Sequence, residues 1–277
     1  MRLLGVGDNV VDRYRDVGLV FPGGNAVNVA VAARRAGAEA AYLGALGDDR
    51  AGKVILAALR AEGVATDRVR IVNGPTAFAD VTLVEGDRVF VGSEVGVSRF
   101  RLDEADLAYA ATFDLVHTGD CSMLETQVAD LAIRAEVSFD FSTHREPTYL
   151  DPLLGHVRIA CFSASELAED EALAFLTSAV ERGPRLALAT RGTAPALLSD
   201  GRRTWRQPVM PGQVVDTLGA GDSFIGRFLV GVIEGEDPAV ALEAAVGAAA
   251  VTCTSYGAFG YASPTAPTVD EASLAAS

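Results

Sequence analysis

The constraint that narrows the fold most is the alternation of strand-like and helix-like runs along the chain. "RLLGVG" (2–7) reads as a strand, "NAVNVAVAARRAG" as a helix stopped by Gly37, "AAYLGALG" (40–47) as a strand and "RAGKVILAALRAEG" as a helix stopped by Gly63. Further strands are predicted at "DLVHTG", "EVSFDFS", "VRIACFS" and "RLALAT", with helical runs near 122–134, 165–181, 219–234 and 238–254. Such a rhythm predicts an α/β fold, with a mainly parallel central sheet flanked by helices on both faces. Two stretches break it. Residues 10–20 and 76–93, the latter turning at Gly86-Asp87, read as strands with no helix between, which suits a small β lid. A further hairpin is marked by Asp200-Gly201 within "APALLSDGRRTWRQ". The expected organisation is one domain over 1–262 with both lid segments inserted, followed by a loose, proline-bearing tail at 263–277.

Within this frame, "VVDTLGAGDSFIGRFLVGVIEG" (214–235) is the most chemical stretch. Phe224, Ile225, Phe228, Leu229, Val232 and Ile233 form a helical stripe. The glycines ahead of it free the backbone for unusual angles. A glycine turn opening into a helix points unbonded amides at one spot with the helix dipole behind them, which makes an anion site. Asp222 falls in the first turn beside that site, where a carboxylate makes sense as the acceptor of a proton from an attacking hydroxyl.

A second glycine cluster, "FPGGNAVN" (21–28), offers a hinge at Gly23-Gly24. Asn25 is a good N-cap type for the helix that follows; alternatively Asn25 and Asn28, three apart on one face, present amides to a polyol. Asp8 and Asp12 lie just past the first strand, where α/β proteins place ligands. They are either solvated charge or acceptors for sugar hydroxyls. The "GVGD" run lacks the third glycine of a dinucleotide fingerprint. His117, His144 and His156 share no metal-ligand spacing, and Cys121 reads as packing. His117 and Asp120 sit at a strand end, which leaves a substrate contact open.

Composition closes off other classes. A net charge of −14 opposes binding to nucleic acid or anionic membranes. Cys121, Cys161 and Cys253 stand apart with no CxxC pair, which points to a reducing, cytoplasmic setting. The apolar start of the chain meets Asp8 too soon for a signal peptide, and no run reaches the ~18 apolar residues of a membrane span.

"DTLGAGDSFIGRFL" resembles the second motif of the ribokinase-like (PfkB) carbohydrate kinases, and "GGNAVNVAVAARRAGAEAAYLGALGDDRAGKVILAALRAEGV" their first. The resemblance runs in order over about residues 1–260, and "GDNVVDRY", "GDRVF", "SEVGV" and "FDFS" are most similar to the fructoselysine 6-kinase branch. It implies ATP-dependent phosphorylation of a sugar hydroxyl, with Mg²⁺, a homodimer formed through the lid, and K⁺ as an option. Asp222 matches the catalytic base, and the backbone of Gly219, Ala220 and Gly221 matches the anion hole. Asp8, Asp12, Gly24, Asn25, Asn28 and Glu94 fall on the substrate side. Thr190, Gly192, Ala248, Ala249 and Cys253 fall on the nucleotide side. Glu166 matches a glutamate that holds Mg²⁺ through water, although Ser163 replaces the usual asparagine of that stretch. Asp216 orders the loop, with a monovalent cation as one means. Ribose, 2-keto-3-deoxygluconate, fructose and nucleosides are rival acceptors. A sugar phosphate would want basic residues such as Arg13, Arg15 and Arg88 near the lid. A non-catalytic sugar- or nucleotide-binding module is the reading from another class.

Overall fold

The computed structural model describes residues 1–84 and 87–265. The chain starts with β1 (Arg2–Val6), a hairpin of β2 (Val10–Tyr14) and β3 (Leu19–Gly23), and helix α1 (Asn25–Arg35). Strands β4 (Glu39–Leu43) and β5 (Ala45–Gly47), helix α2 (Arg50–Ala61) and β6 (Arg70–Val72) follow. A second hairpin pairs β7 (Phe78–Val84) with β8 (Asp87–Glu94). Next come α3 (Glu104–Ala110), β9 (Leu115–Gly119), α4 (Val128–Arg134), β10 (Val137–Asp140), α5 (Pro147–Leu154), β11 (Ile159–Ser163), α6 (Glu169–Glu181) and β12 (Leu186–Thr190). The chain closes with the hairpin β13 (Ala196–Ser199) and β14 (Thr204–Gln207), helices α7 (Ala220–Glu234) and α8 (Pro238–Thr252), and β15 (Ser263–Pro264).

The main sheet has eight strands in the order β14-β13-β12-β11-β10-β9-β1-β4, parallel from β4 to β12 and antiparallel in the terminal hairpin. Its strands are apolar on both faces because helices cover both. Leu4, Val116, Phe139, Ala160 and Ala187 pack on the α3–α6 side. Their neighbours Leu3, Leu115, Ile159, Cys161 and Leu188 pack on the other side, against α1, α7 and α8. Helices α1 and α7 approach closely at Gly226, where an added Cβ would lie 2.5 Å from the Ala32 Cβ. That approach brings the start of α1 beside the start of α7, at the C-terminal end of the sheet.

The lid segments form a flap of five strands in the order β15-β3-β2-β7-β8. The stretch at 10–20 holds β2, a turn at Gly18 (φ 65°) and the start of β3. The segment expected to be loose from Ser263 begins with β15, which pairs with Leu19 and Val20 at the outer edge of β3. Residues 266–277 of that tail, and Gly86 of the expected turn, lie outside the described residues. "AAYLGALG" is two strands, broken at Gly44, where Tyr42 folds its hydroxyl over the glycine. The run at 122–134 becomes α-helix only from Val128, and that at 165–181 only from Glu169. The short helices α3 and α5 carry weaker patterns and were not expected. The hairpins β7–β8 and β13–β14, the glycine stops after α1 and α2, and the run 219–234 match the sequence reading.

Candidate active site

Asp222 stands in the first turn of α7, half-buried, and its carboxylate is held by two amides from α1. Asn25 Nδ2 donates to Oδ1 at 2.9 Å and Asn28 Nδ2 to Oδ2 at 2.6 Å. Gly219 makes this possible as the N-cap: its φ of 72° is left-handed, and a Cβ there would collide with Ala258. The Ala220 amide donates to the Thr217 carbonyl at 3.2 Å. The amides of Gly221 and Asp222 have no partner among the described residues. They are free helix-terminal donors of the kind an anion takes up.

Asn25 also donates to Asp140 Oδ2 at 2.9 Å, from the end of β10. Asn25 is therefore not the N-cap. Gly24 holds that place with φ 110°, and Asp8 caps the helix instead, accepting from the Asn25 amide at 2.7 Å and the Ala26 amide at 3.2 Å. An acid just past β1 meets the positive end of α1, which offsets part of the cost of burying it. Ser122 Oγ adds a bond to Asp8 Oδ1 at 2.9 Å. The two asparagines thus hold a carboxylate in the ligand-free chain.

Burial sets the electrostatics. It pushes Asp222 up to about 6, against the lowering effect of the two asparagine amides; Asp8 and Asp120 raise it further. Asp140 is pushed up to about 7 by burial, opposed by the Ser142 amide and aided by Asp222 and Asp120. Asp8 is raised by burial against its capping bonds. Below these acids, His117 is fully buried and burial lowers it to about 3, so it is neutral. Its Nδ1 lies 2.8 Å from Ser138 Oγ and its Nε2 3.1 Å from Asn25 Oδ1.

The remaining candidates fall into separate groups. Asp216, buried, accepts from the Tyr14 hydroxyl of the flap, from the Gly257 amide at 3.0 Å and from the Leu218 amide at 3.0 Å. The Cys253 carbonyl, at the end of α8, takes the Val215 amide at 2.8 Å. Ala248 and Ala249 are half-buried on the same helix, while Thr190 and Gly192 sit at the end of β12. Asp12 is buried on β2, and Glu94 is exposed at the end of β8. Glu166 is exposed and ion-paired with Arg145, which also donates to the Ser163 carbonyl at 2.6 Å. Among the described residues no three acidic, histidine or cysteine side chains converge as a metal cage. Arg13 and Arg15 are both paired with Asp80, at 2.8 and 2.5 Å, which argues against a phosphate on the acceptor; the Arg88 side chain lies outside the described ones.

Sequence reasoning missed Asp140, Ser122, Ser138 and Tyr14 as site-building residues. Asp140 had a signal, as an acid ending a strand parallel to the one before Asp120. The serines and Tyr14 had none, since only tertiary packing brings them in.

This geometry can be set beside known proteins. The family described as pfkB family carbohydrate kinase matches residues 11–266. Fructosamine kinase FrlD of Bacillus subtilis (strain 168) is 45% identical over 269 residues, covering 95% of each chain. Fructoselysine 6-kinase of Escherichia coli (strain K12) is 36% identical over 257 residues, 92% of this chain and 98% of that one. In fold, the chain superposes on Arabidopsis thaliana ribokinase complexed with ribose and ATP with a TM-score of 0.82 at 23% identity, covering 94% of both.

Proposed function

The chain belongs to the pfkB family of carbohydrate kinases, and on that premise we propose that it transfers the γ-phosphoryl group of ATP to the 6-hydroxyl of fructoselysine or a related fructosamine. The observation that carries this reading is the pairing of one acid with two free amides: the Asp222 carboxylate, gripped by Asn25 and Asn28, adjoins the unbonded amides of Gly221 and Asp222. Phosphoryl transfer asks for positioning and charge stabilisation rather than covalent chemistry. In this reading Asp222 takes the proton of the acceptor hydroxyl. With a value of about 6 it is roughly nine-tenths ionised at pH 7, yet a stronger base than an exposed aspartate. The Gly219–Gly221 turn receives the negative charge of the migrating group, and each such donor typically contributes ~10²–10³ in rate.

Asp120 and Asp140 favour a fructosamine over a plain sugar, because such an acceptor carries an ammonium that ribose and fructose lack. The names of the two enzyme relatives point the same way. ATP occupies the side of Thr190, Gly192, Ala248, Ala249 and Cys253. Mg²⁺ offsets phosphate charge when bound, with Glu166 as the carboxylate available to its water shell. K⁺ at the Asp216 turn completes the set, although three donors of the chain already order that carboxylate. Asp12, Gly24 and Glu94 border the sugar beneath the flap. Two copies meet through the flap, where Val91 and Val95 are exposed by 56% and 42% on and just past its outermost strand. The protein works in the cytoplasm, in keeping with three free thiols. Among the described residues no helix is long and apolar enough to cross a membrane.

The test is ATP consumption against fructoselysine, fructose, ribose and 2-keto-3-deoxygluconate. Fructoselysine is expected to give the highest kcat/KM, and Asp222→Asn to lose about 10²–10⁴ of it. Equal turnover of ribose would overturn the acceptor. An undiminished Asp222→Asn enzyme would overturn the base.

A further inference from the structure

The sheet face that packs against α1 and α7 is built largely of apolar side chains such as Leu3, Leu115, Ile159 and Leu188, and two fully buried polar ones stand among them. There His117 of β9 and Ser138 of β10, both without solvent exposure, stand side by side, paired in register. A buried imidazole and hydroxyl are costly unless each hydrogen-bonding group is matched. The matches form a single line. His117 is neutral and has one N–H to give. Asp222, mostly ionised at pH 7, requires a donor from Asn25, so its Nδ2 faces Asp222 and Asp140 and its Oδ1 faces His117. The imidazole therefore donates from Nε2, and its Nδ1 accepts the Ser138 hydroxyl.

We propose that His117 is a positioning residue for the phosphoryl acceptor's base, with Ser138 fixing the imidazole tautomer and the imidazole fixing the Asn25 amide against Asp222. It touches neither substrate nor the reacting atoms and acts through Asn25. Without the Nε2 donor the Asn25 carbonyl is orphaned, and the amide swings away from Asp222 or turns over, setting oxygen against oxygen. The base then loses a donor that favours its ionised form, in a pocket where Asp8, Asp120 and Asp140 all oppose ionisation.

The proposal rests on Asp222 being the base, so its test reads that carboxyl directly as well as through turnover. The titration of Asp222 is followed in ¹³C-aspartate-labelled, ligand-free protein by NMR, with the signal assigned by its loss in Asp222→Asn. In His117→Leu the midpoint is expected to rise by about one pH unit, equivalent to the loss of a hydrogen bond to a charged group. In His117→Gln, whose amide can still donate to the Asn25 carbonyl, it should return toward wild type. Ser138→Ala, a smaller change that guards against misfolding of the leucine variant, should shift it in the same direction by less. With fructoselysine, kcat/KM of His117→Leu should fall about five- to tenfold at pH 6 and converge on wild type above pH 8.5, with KM little changed. An unmoved midpoint in both His117→Leu and Ser138→Ala overturns the proposal, as does a glutamine variant that shifts as far as the leucine one. A wild-type enzyme that titrates as expected but ignores every fructosamine would overturn the proposed substrate and leave the positioning role supported.

Discussion

Asn28→Leu is nearly isosteric and removes one donor from Asp222 while leaving the other. The side chain is only 7% exposed, its Nδ2 donates to Asp222 Oδ2 at 2.6 Å, and its Oδ1 has no partner among the described residues. Leucine therefore discards an unsatisfied buried oxygen together with the donor, and the fold should tolerate it. A hydrogen bond to an ionised group contributes about 1.5–3 kcal/mol, and each pKa unit corresponds to about 1.4 kcal/mol. Loss of the amide should raise Asp222 from about 6 to about 7–8. Its ionised share at pH 7 then drops from roughly nine-tenths to about a quarter, a fourfold loss of kcat/KM. At pH 5.5 the loss grows to about eight- to seventy-five-fold, and above pH 9 it vanishes. Initial rates in a coupled ADP-release assay between pH 5.5 and 9 measure this. A uniform loss at every pH would mean that Asn28 serves the sugar instead. An unmoved acidic limb would refute the claim that this amide tunes the base.

Asp140→Asn should raise thermal stability more at pH 8 than at pH 5. The folded value of about 7 lies above the ~3.9 of an unfolded aspartate, so the folded protein binds the extra proton in between. That contribution to stability is complete below the unfolded value and is lost as pH climbs through 7, so differential melts of ligand-free protein at the two pH values give the sign, and equal shifts would argue against a buried, strained charge. Gly226→Ala should lower the unfolding free energy by about 1–3 kcal/mol in denaturant titration, because the methyl would meet Ala32 and the Val29 carbonyl, at 2.5 and 2.9 Å, across the α1–α7 contact. A stabilised variant, as helix propensity alone would give, would show that the two helices can part without consequence.

Much of this molecule could be read from its residues, and the limits have physical causes. Strand–helix alternation forecast the parallel sheet because strands covered on both faces must be continuously apolar, as 159–162 and 186–189 are. Asp222 and the glycine turn were legible because a left-handed N-cap and free amides are local properties. The role of Asn25 was not. Cap propensity and sugar binding both fitted its position, and the decision lay with Asp8, seventeen residues earlier in the chain, which took the cap and freed the amide for Asp222 and Asp140. His117 had no sequence partner at any ligand spacing because its partners are a register neighbour on β10 and a helix residue laid across the sheet. Likewise Tyr14 reads as one more apolar flap residue until the fold carries its hydroxyl to Asp216.

The flap draws its strands from 10–23, from 78–94 and, last, from Ser263–Pro264. During synthesis the outer edge of β3 therefore stays bare while everything between it and Ser263 is being made, and a bare edge invites foreign strands. A nascent chain is thus adhesive at the flap until Ser263–Pro264 has been made, and a chain cut before Ser263 would keep that bare edge.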